Sequence, residues 1–327
     1  MGVSVVICAY TMDRWDDLVA AVQSCVDQTT KPDEILVVID HNDELRRRAE
    51  LMLTAAHVVP NQSTKGLSGA RNTGVARSTG DVVAFLDDDA YAEAEWLEEL
   101  VAPLDDPKVA GVGGWVLPHW ETEAPAWFPE TFYWVFGCSY AGLPDSKAPI
   151  RNPIGASMAM RRSVFTSVGG FTSGIGRIGK VPLGCEETEL CIRYEARHPL
   201  EGFVIVHEAI VHHRVPKSRL TWRYFWTRCW AEGLSKAAVT SLVGSGSGLS
   251  SERRYVAQAL PREFVQSVRT LREQPRSSGV RILYMIAGTA YALAGFVKGR
   301  VALRRSPLVK GNGGPDLLLM TRAAEEG

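Results

Sequence analysis

The chain has 327 residues, 46% of them hydrophobic and 22% charged, and a formal net charge of −1. This composition excludes a collagen, a coiled coil and a largely disordered protein, and the length favours two domains or one large domain with an appendage. The six cysteines include no CxxC pair, which argues against a zinc knuckle or a thioredoxin-type motif and favours a reducing compartment.

The first third of the chain alternates predicted strands and helices. Continuous apolar runs predict buried strands at 3–9, 34–39, 58–59 and 81–86. Helical spacing of apolar residues predicts helices at 15–26, 45–53, 68–78 and 93–104. This alternation predicts an α/β fold, a Rossmann-like, mostly parallel sheet with helices on both faces. Ligands bind such sheets beyond the carboxyl ends of the strands.

From about residue 109 the sequence becomes rich in Gly, Trp and Pro, which predicts irregular backbone lined by aromatic side chains. Such a surface suits a flat ligand such as a sugar ring, but tryptophans that plug a loop against the core give the same pattern. A stretch containing Gly and Lys follows at 173–184. The remaining predicted elements are a helix at 186–197, short strands at 203–206 and 209–215, a helix at 220–238, a linker at 244–251 and C-terminal helices.

Charge is divided unevenly along the chain. Residues 1–215 carry a net charge of −12 and residues 216–327 carry +11. Within the basic part, residues 282–297 are uncharged and have basic flanks. The segment is shorter than the roughly 20 residues that span a bilayer, but its flanks favour anionic lipid, so we predict a membrane-associating helix. A core helix or an oligomer interface is the alternative, because Gly288, Ala292 and Gly295 also pack helices in water.

Three adjacent carboxylates, Asp87, Asp88 and Asp89, follow the predicted strand at 81–86. They repel one another unless a cation lies among them, and hard oxygen ligands suit Mg²⁺ or Mn²⁺ bound to substrate phosphates. We therefore predict a metal site that handles a nucleotide diphosphate. An acidic turn that caps the next helix is the alternative.

A polar, glycine-containing loop between Asn61 and Asn72 opens a predicted helix. The helix N-terminus and Lys65 can attract phosphate, and Arg71 can bind a phosphate or a base carbonyl. The loop does not match the Walker P-loop, and no GxGxxG follows the first strand. The sequence therefore supports neither an ATPase nor a dinucleotide dehydrogenase.

Two further segments carry groups suited to acid-base or metal chemistry. Glu186 and Glu187 begin a predicted helix, whose dipole keeps a carboxylate ionised as a general base requires. His212 and His213 end a predicted strand, where alternation turns the two imidazoles to opposite faces. Each segment taken alone is more often structural.

Taken in order, these segments closely resemble the family 2 glycosyltransferases, which have the GT-A fold. The matching segments are VVICAYTMDR, VVIDHNDE, KGLSGARNTGVARSTGDVVAFLDDDA, GASMAMRR, GCEETELCIR and HHRVP, within about residues 3–240. The resemblance implies transfer of a sugar from a nucleotide-diphosphate donor to an acceptor hydroxyl, with inversion and with Mn²⁺ or Mg²⁺ as cofactor. We expect a UDP-sugar donor and a lipid-linked or bacterial cell-envelope glycan as acceptor.

The resemblance also implies roles for individual residues. Glu187 would be the catalytic base, at a position where the family usually has Asp, and Glu186 is its competitor. The implied metal ligands are Asp87, Asp89 and His213, or His212 in its place. The implied donor-nucleotide residues are Ala9, Tyr10, Thr11, Arg14, Asp40, Lys65, Arg71, Asn72, Asp87 and Asp88. The expected sugar and acceptor residues are Trp115, Gly155, Ala156, Ser157 and Glu186.

We expect a GT-A catalytic domain at 1–215, with a nucleotide-sugar half at about 1–110 and an acceptor half at 111–215, and a basic helical region at 216–327. The expected location is cytoplasmic, peripheral to the inner face of the plasma membrane and bound to its anionic surface, with no nucleic-acid partner. The sequence leaves the oligomeric state open. The alternatives are a sugar-1-phosphate nucleotidylyltransferase, whose GxGTR loop is missing after the first strand, and a non-catalytic nucleotide-sugar-binding module.

Overall fold

The computed structural model describes residues 1–173, 184–244 and 248–305. Contacts within the chain divide it into two units. Among the described residues, the first unit comprises 1–119, 144–173 and 186–214. The second comprises 120–143, 184–185, 215–244 and 248–305. The sequence-based domain boundary at 215 remains a prediction.

Nine strands among the described residues form one sheet. They are β1 (Val3–Ala9), β2 (Glu34–Ile39), β3 (His57–Pro60), β4 (Val82–Asp87), β5 (Ala90–Ala92), β6 (Val109–Trp120), β7 (Pro149–Ile150), β8 (Ser157–Arg161) and β9 (Gly202–Val215). The helices of the first unit are α1 (Trp15–Val26), α2 (Asp43–Met52), α3 (Leu67–Arg77), α4 (Trp96–Val101), α5 (Arg162–Val168) and α6 (Glu186–Arg197), with 3₁₀ turns at Met12–Arg14 and Ala102–Asp105.

The sheet is mixed, and its parallel part is confined to the first four strands. The strand order is β3-β2-β1-β4-β8-β6-β9-β5, and β7 also pairs with β9. β1 pairs in parallel with β2 and β4, and β2 with β3. β8 pairs antiparallel with β4 and β6, whereas β5 and β7 pair antiparallel with β9. The predicted α/β architecture is confirmed, with more antiparallel pairing than the sequence indicated.

The central strands are apolar along most of their length because both faces of the sheet are covered. Ile7 of β1 belongs to a core with Leu18 of α1 and Trp96 of α4. On the other face, Phe85 of β4 belongs to a core with Phe165 of α5 and residues of α6. Burial on both faces removes the alternation of apolar and polar residues that an exposed face would require.

Two predicted features after residue 109 differ from the structure. The first part of the Gly- and Trp-rich segment is not irregular, because it forms the 12-residue strand β6, whereas residues 121–129 contain no helix or strand, as predicted. Its glycines reflect close packing, since a Cβ at Gly111 would lie 2.8 Å from the Ala159 carbonyl oxygen and one at Gly114 would lie 2.2 Å from Ser157 Oγ. The two short strands predicted at 203–206 and 209–215 are one continuous strand, β9, whose apolar pattern is interrupted by His207 and Glu208.

The second unit is helical, as predicted for the C-terminal extension. Its elements are a 3₁₀ helix at Glu130–Phe136, a 3₁₀ turn at Lys217–Arg219, α7 (Trp222–Val243), α8 (Ser250–Arg254), a π-helical turn at Tyr255–Ala259, α9 (Leu260–Arg269), a 3₁₀ turn at Thr270–Arg272 and α10 (Pro275–Arg305). Of the predicted linker, residues 245–247 lie outside the described residues and α8 begins at Ser250.

α7 and α10 pack at very short range. A Cβ at Gly233 of α7 would lie 2.0 Å from the carbonyl oxygen of Ala292, and one at Gly295 of α10 would lie 2.2 Å from the carbonyl oxygen of Trp230. The small residues of α10 therefore pack this helix against α7 within the chain.

The opposite face of α10 is apolar and exposed. Its exposed residues include Leu283, Ile286, Leu293 and Val297. Among the described residues, the span Pro275–Arg304 of α10 is the one helix long and apolar enough to cross a membrane, and only 22% of its most apolar window is buried. One face of α10 therefore packs on α7, while its apolar opposite face is exposed and could contact lipid or another protein.

Candidate active site

The carboxyl ends of three adjacent parallel strands bring the predicted site residues to one edge of the sheet. Tyr10 and Arg14 follow β1, Asp40 follows β2, and Asp87 ends β4. β1 lies between β2 and β4, so these residues are neighbours although the chain separates them widely. This edge is where open α/β sheets bind their ligands.

The acidic triplet is largely buried and lies against an arginine. Asp88 and Asp89 are buried, and Arg14 Nη1 lies 2.7 Å from Asp88 Oδ1 and 3.1 Å from Asp89 Oδ2. Burial raises the pKa of Asp88 to about 7, the Arg14 guanidinium opposes that shift, and Asp89 and Asp87 add to it. Asp88 Oδ2 is buried without a hydrogen-bond partner among the described residues. Negative charge crowded in this way favours a bound cation.

The register of β9 brings His213, rather than His212, to the triplet. Ala90 of β5 pairs with His213, whose Nε2 lies 3.1 Å from Asp89 Oδ1. His212 points to the other face, where its Nε2 lies 2.8 Å from Glu93 Oε1 and its ring stacks on Tyr91.

Asp87, Asp89 and His213 form a group that could hold a metal ion. Each offers one ligand atom, and the three atoms lie within 4.8 Å of one another. Two carboxylate oxygens with one imidazole nitrogen suit Mn²⁺, and the two carboxylates also suit Mg²⁺. The donor set therefore agrees with the predicted Mn²⁺ or Mg²⁺ cofactor.

Asp40 anchors the glycine-containing loop that opens α3. Its Oδ1 accepts a hydrogen bond from Asn61 Nδ2 at 2.6 Å, and its Oδ2 accepts one from the Gly66 N–H at 2.9 Å. Gly66 has a φ of 120°, a conformation that disfavours other residues. Sequence analysis did not predict this contact of Asn61, whose only signal was its place at the start of the loop. Lys65, which precedes Gly66 in the same loop, is exposed.

Arg71 of α3 is almost completely buried, with 2% of its surface exposed. Its Nη1 lies 2.8 Å from Glu186 Oε1, and its Nη2 donates to the Gly155 carbonyl oxygen at 3.0 Å and lies 3.5 Å from Asp87 Oδ1. Burial by itself lowers the pKa of Arg71, but the carboxylates of Glu186, Asp87 and Glu187 leave it raised. The guanidinium is therefore a fixed positive charge that links α3, β4 and α6.

The two candidate bases differ in their surroundings. Glu186 is buried and bound by Arg71, and its second oxygen, Oε2, has no hydrogen-bond partner among the described residues. Glu187 is only half-buried in the same first turn of α6. Glu187 is therefore the more accessible of the two carboxylates.

Three further predicted ligand-binding residues also make hydrogen bonds within the protein. Asn72 Nδ2 donates to the Phe171 carbonyl oxygen and its Oδ1 accepts from the Phe171 N–H, both at 2.8 Å. Ser157 Oγ accepts from Trp96 Nε1 at 2.9 Å and is fully buried. Thr11 Oγ1 donates to Asp13 Oδ2 at 3.0 Å. Their predicted roles in ligand binding remain predictions.

Trp115 belongs to a surface that includes a residue the sequence analysis missed. Its ring lies 4.1 Å from that of His207, and His207 Nε2 lies 2.9 Å from the Pro144 carbonyl oxygen. Gly155 is half-buried and Ala156 is buried at the start of β8. Ala9 is buried at the end of β1, whereas Tyr10 is exposed.

Comparison with known proteins gives consistent results. The family profile Glycosyl transferase family 2 matches residues 4–169. The chain is 33% identical over 307 residues to Glucosyl-dolichyl phosphate glucuronosyltransferase of Haloferax volcanii, covering 91% of this chain and 96% of that protein. It is 29% identical over 197 residues to the succinoglycan biosynthesis protein ExoM of Rhizobium meliloti, covering 56% of this chain and 60% of that protein.

A solved structure of similar fold is the mannosyltransferase PcManGT from Pyrobaculum calidifontis in complex with GDP-Man and Mn²⁺. The TM-score is 0.55 at 18% sequence identity, over 88% of this chain and 86% of that chain. At this identity the likeness shows a shared fold.

Proposed function

Because this chain belongs to glycosyl transferase family 2, we propose that it moves a sugar from a nucleotide-diphosphate donor to a lipid-linked glycan, with inversion at the anomeric carbon. The family and the GT-A fold predicted from the sequence are confirmed, and the chain is a glycosyltransferase. The nucleotidylyltransferase and the non-catalytic module are not favoured by these relatives.

One observation supports the donor site above all others: a buried acidic triplet that meets His213 and Arg14 at the carboxyl edge of the sheet. Asp87, Asp89 and His213 would hold Mn²⁺ or Mg²⁺, which would supply positive charge to the diphosphate. Arg14 forms ion pairs with Asp88 and Asp89, so its positive charge partly balances the negative charge of the triplet. Preorganised charge of this kind stabilises negative charge that develops on a leaving group.

The nucleotide would lie across the ends of β1 and β2. Asp40 accepts a hydrogen bond from the Gly66 N–H of the loop, and the exposed ring of Tyr10 lies just after β1. Arg71 is enclosed by Glu186, Asp87 and Gly155, and it would act on the site through those partners. We therefore assign Arg71 a positioning role.

Glu187 would be the general base. It lies in the first turn of α6, where the helix dipole favours negative charge. It would accept the proton of the acceptor hydroxyl as that oxygen attacks the anomeric carbon and the diphosphate leaves. A single displacement of this kind inverts the centre.

The proposed acceptor is a sugar on a lipid carrier. Trp115 and His207 offer an aromatic surface of the kind that stacks on a sugar ring. The Haloferax volcanii relative is named for glucosyl-dolichyl phosphate, which is a sugar on a lipid carrier. The exposed apolar face of α10 supports association with a membrane. We propose the inner face of the plasma membrane as the place where such a carrier would be reached.

The donor site is tested by thermal stabilisation of the full chain with UDP, GDP, dTDP, CDP or ADP, each with and without Mn²⁺. A ligand that binds the folded state raises Tm by mass action. We expect one nucleotide, with UDP as the first candidate, to act only with metal, and Asp89→Ala to abolish the shift. Asp105→Ala, at an exposed aspartate, is the matched control and keeps the shift. No shift with any nucleotide would refute the donor site.

The acceptor is tested with the same donor sugar and two acceptors, a polyprenyl-phosphate-linked glucose and the methyl glycoside of glucose. We expect a higher kcat/KM for the lipid-linked sugar. Equal values would show that the lipid is not recognised. Analysis of the anomeric configuration of the product tests inversion independently.

A further inference from the structure

α9 is an amphipathic helix whose polar side faces the protein and whose apolar side is exposed, the reverse of a surface helix in a water-soluble protein. Its polar side faces the protein, because the Glu263 carboxylate accepts hydrogen bonds from the backbone N–H groups of Glu130 at 3.1 Å and Thr131 at 2.9 Å. Ser267, one turn later, is fully buried. Thr270 continues this side and its Oγ1 lies 2.9 Å from Ser278 Oγ.

The outer side of α9 is apolar. Phe264, Val265 and Val268 of α9 and Leu271 of the following 3₁₀ turn are 41%, 46%, 46% and 39% exposed, and their spacing places them on one face. We call these four residues the α9 face. A helix against water normally buries such residues and exposes the polar ones. An exposed apolar face of this kind marks a surface that a membrane or another protein covers.

Positive charge surrounds the α9 face. Residues 253–276 contain six arginines and two glutamates, and one of these, Glu263, is turned inward. Arg262, Arg269 and Arg272 are exposed on or next to α9. An apolar face with an arginine rim matches a layer of anionic headgroups over an acyl interior. The segment also continues within a few residues into α10, the candidate membrane span.

We propose that α9 lies in the plane of an anionic membrane, with the α9 face at the boundary between headgroups and acyl chains and Arg262, Arg269 and Arg272 bound to headgroup phosphates. This inference rests on the proposed membrane location of the enzyme and specifies a second contact besides α10, one that recognises lipid charge. A second copy of this chain is the competing occupant, but pairing of the same segment from two copies would bring six arginines and two glutamates of each copy together, and like charge opposes that pairing.

The test uses an environment-sensitive fluorophore on the full chain, attached at Val268→Cys. The matched control carries it at Gln266→Cys, which is exposed on another side of the same helix. Vesicles contain phosphatidylcholine alone or mixed with phosphatidylglycerol. At position 268 we expect a shift of emission to shorter wavelength and loss of quenching by aqueous iodide on the anionic vesicles. At position 266 iodide quenching is retained.

Charge recognition is tested by adding Arg269→Gln and Arg272→Gln to the Val268→Cys protein. We expect the vesicle concentration for half-maximal shift to rise about fivefold per arginine. Equal shifts on neutral and anionic vesicles, or equal iodide protection at positions 266 and 268, would overturn the proposal. Protection at position 268 without vesicles, together with a larger sedimentation coefficient, would assign the α9 face to a second copy instead.

Turnover separates this inference from the proposed function. Variants of the α9 face leave kcat/KM for the soluble methyl glycoside unchanged, because these residues belong to the second unit and are not part of the acidic site. Absence of transfer by the unmodified chain to every acceptor would refute the proposed function, whereas the vesicle result would still decide the role of α9.

Discussion

The two units differ in which side chains they bury and expose: the first buries charged groups, and the second exposes large apolar ones. In the first unit, charged groups are buried: Arg71, Asp88, Asp89 and Glu186 are each at most 5% exposed. In the second unit, large apolar groups are exposed, as with Leu293 of α10 at 62% and the α9 face. Charged residues are rarely buried unless they are paired, and extended apolar surfaces are rarely left exposed.

This difference shows what each unit requires from outside the chain. The buried charges of the first unit are paired with one another only in part, since one oxygen of Asp88 and one of Glu186 have no hydrogen-bond partner among the described residues. Their surplus is negative at the triplet, which a metal and a diphosphate would complete. The second unit has exposed apolar surface and basic rims, which a lipid surface would complete.

The largest expected effect is on catalysis in the first unit. Glu187→Gln removes the proposed base while keeping the size of the side chain, so we expect kcat to fall by about 10²- to 10⁴-fold. The donor-induced Tm shift is unchanged, because the acidic triplet is intact. Glu195→Gln, two turns further along α6 and also half-buried, is the control and retains activity. Full turnover by Glu187→Gln would refute its role.

The next largest effect is expected on stability. Because the charges of the first unit are buried, removing one partner of a pair should lower the free energy of unfolding. Arg71→Met leaves Glu186 buried without its cation, and we expect the free energy of unfolding to fall by about 3–5 kcal/mol. Arg71→Met with Glu186→Gln recovers part of this loss, because the uncharged amide is cheaper to bury. Urea unfolding measures both.

Arg46→Met is the control for Arg71→Met. It removes an exposed pair with Glu50 on α2, where solvent screens the charges, and we expect little change. Equal effects at Arg71 and Arg46 would contradict the view that the site depends on buried pairing.

Packing between α7 and α10 gives an intermediate effect in the second unit. A methyl group at Gly295 would meet the Trp230 carbonyl oxygen, so we expect Gly295→Ala to lower the free energy of unfolding by about 1–3 kcal/mol. Gly279→Ala, on the same helix with open space around it, is expected to stabilise by about 0.5–1 kcal/mol through helix propensity. Thermal unfolding of both variants in one detergent is the measurement, and the same sign for both would contradict close packing at Gly295.

The smallest effect on stability is expected on the exposed side of α10. Leu293→Ser changes the free energy of unfolding by less than about 0.5 kcal/mol, since the residue contacts little protein. The fraction of protein that sediments with vesicles should nevertheless fall. Leu200→Ser, which is more exposed but lies in the first unit, is the control and leaves that fraction unchanged. Equal losses for both variants would show that α10 has no special relation to lipid.

Local patterns were enough to predict much of the first unit. The strands β1, β2 and β4 are continuous apolar runs, and the acidic triplet follows one of them, so both could be recognised without distant contacts. The pattern failed at β6 because its glycines are set by neighbouring strands, as at Gly114 beside Ser157. It failed at β9 because the polar pair His207 and Glu208 interrupts an otherwise apolar strand.

The sequence by itself determined the α/β class, the family, the acidic triplet and the basic, apolar C-terminal segment, because each depends on residue type and short spacing. Only the tertiary structure decided which groups meet. Arg71 reaches Glu186 across 115 positions and Arg14 reaches Asp88 across 74, and the register of β9 selects His213 over His212. The outward face of α9 likewise depends on the contact of Glu263 with Glu130 and Thr131. Such pairings arise from many weak long-range contacts, which no local pattern encodes.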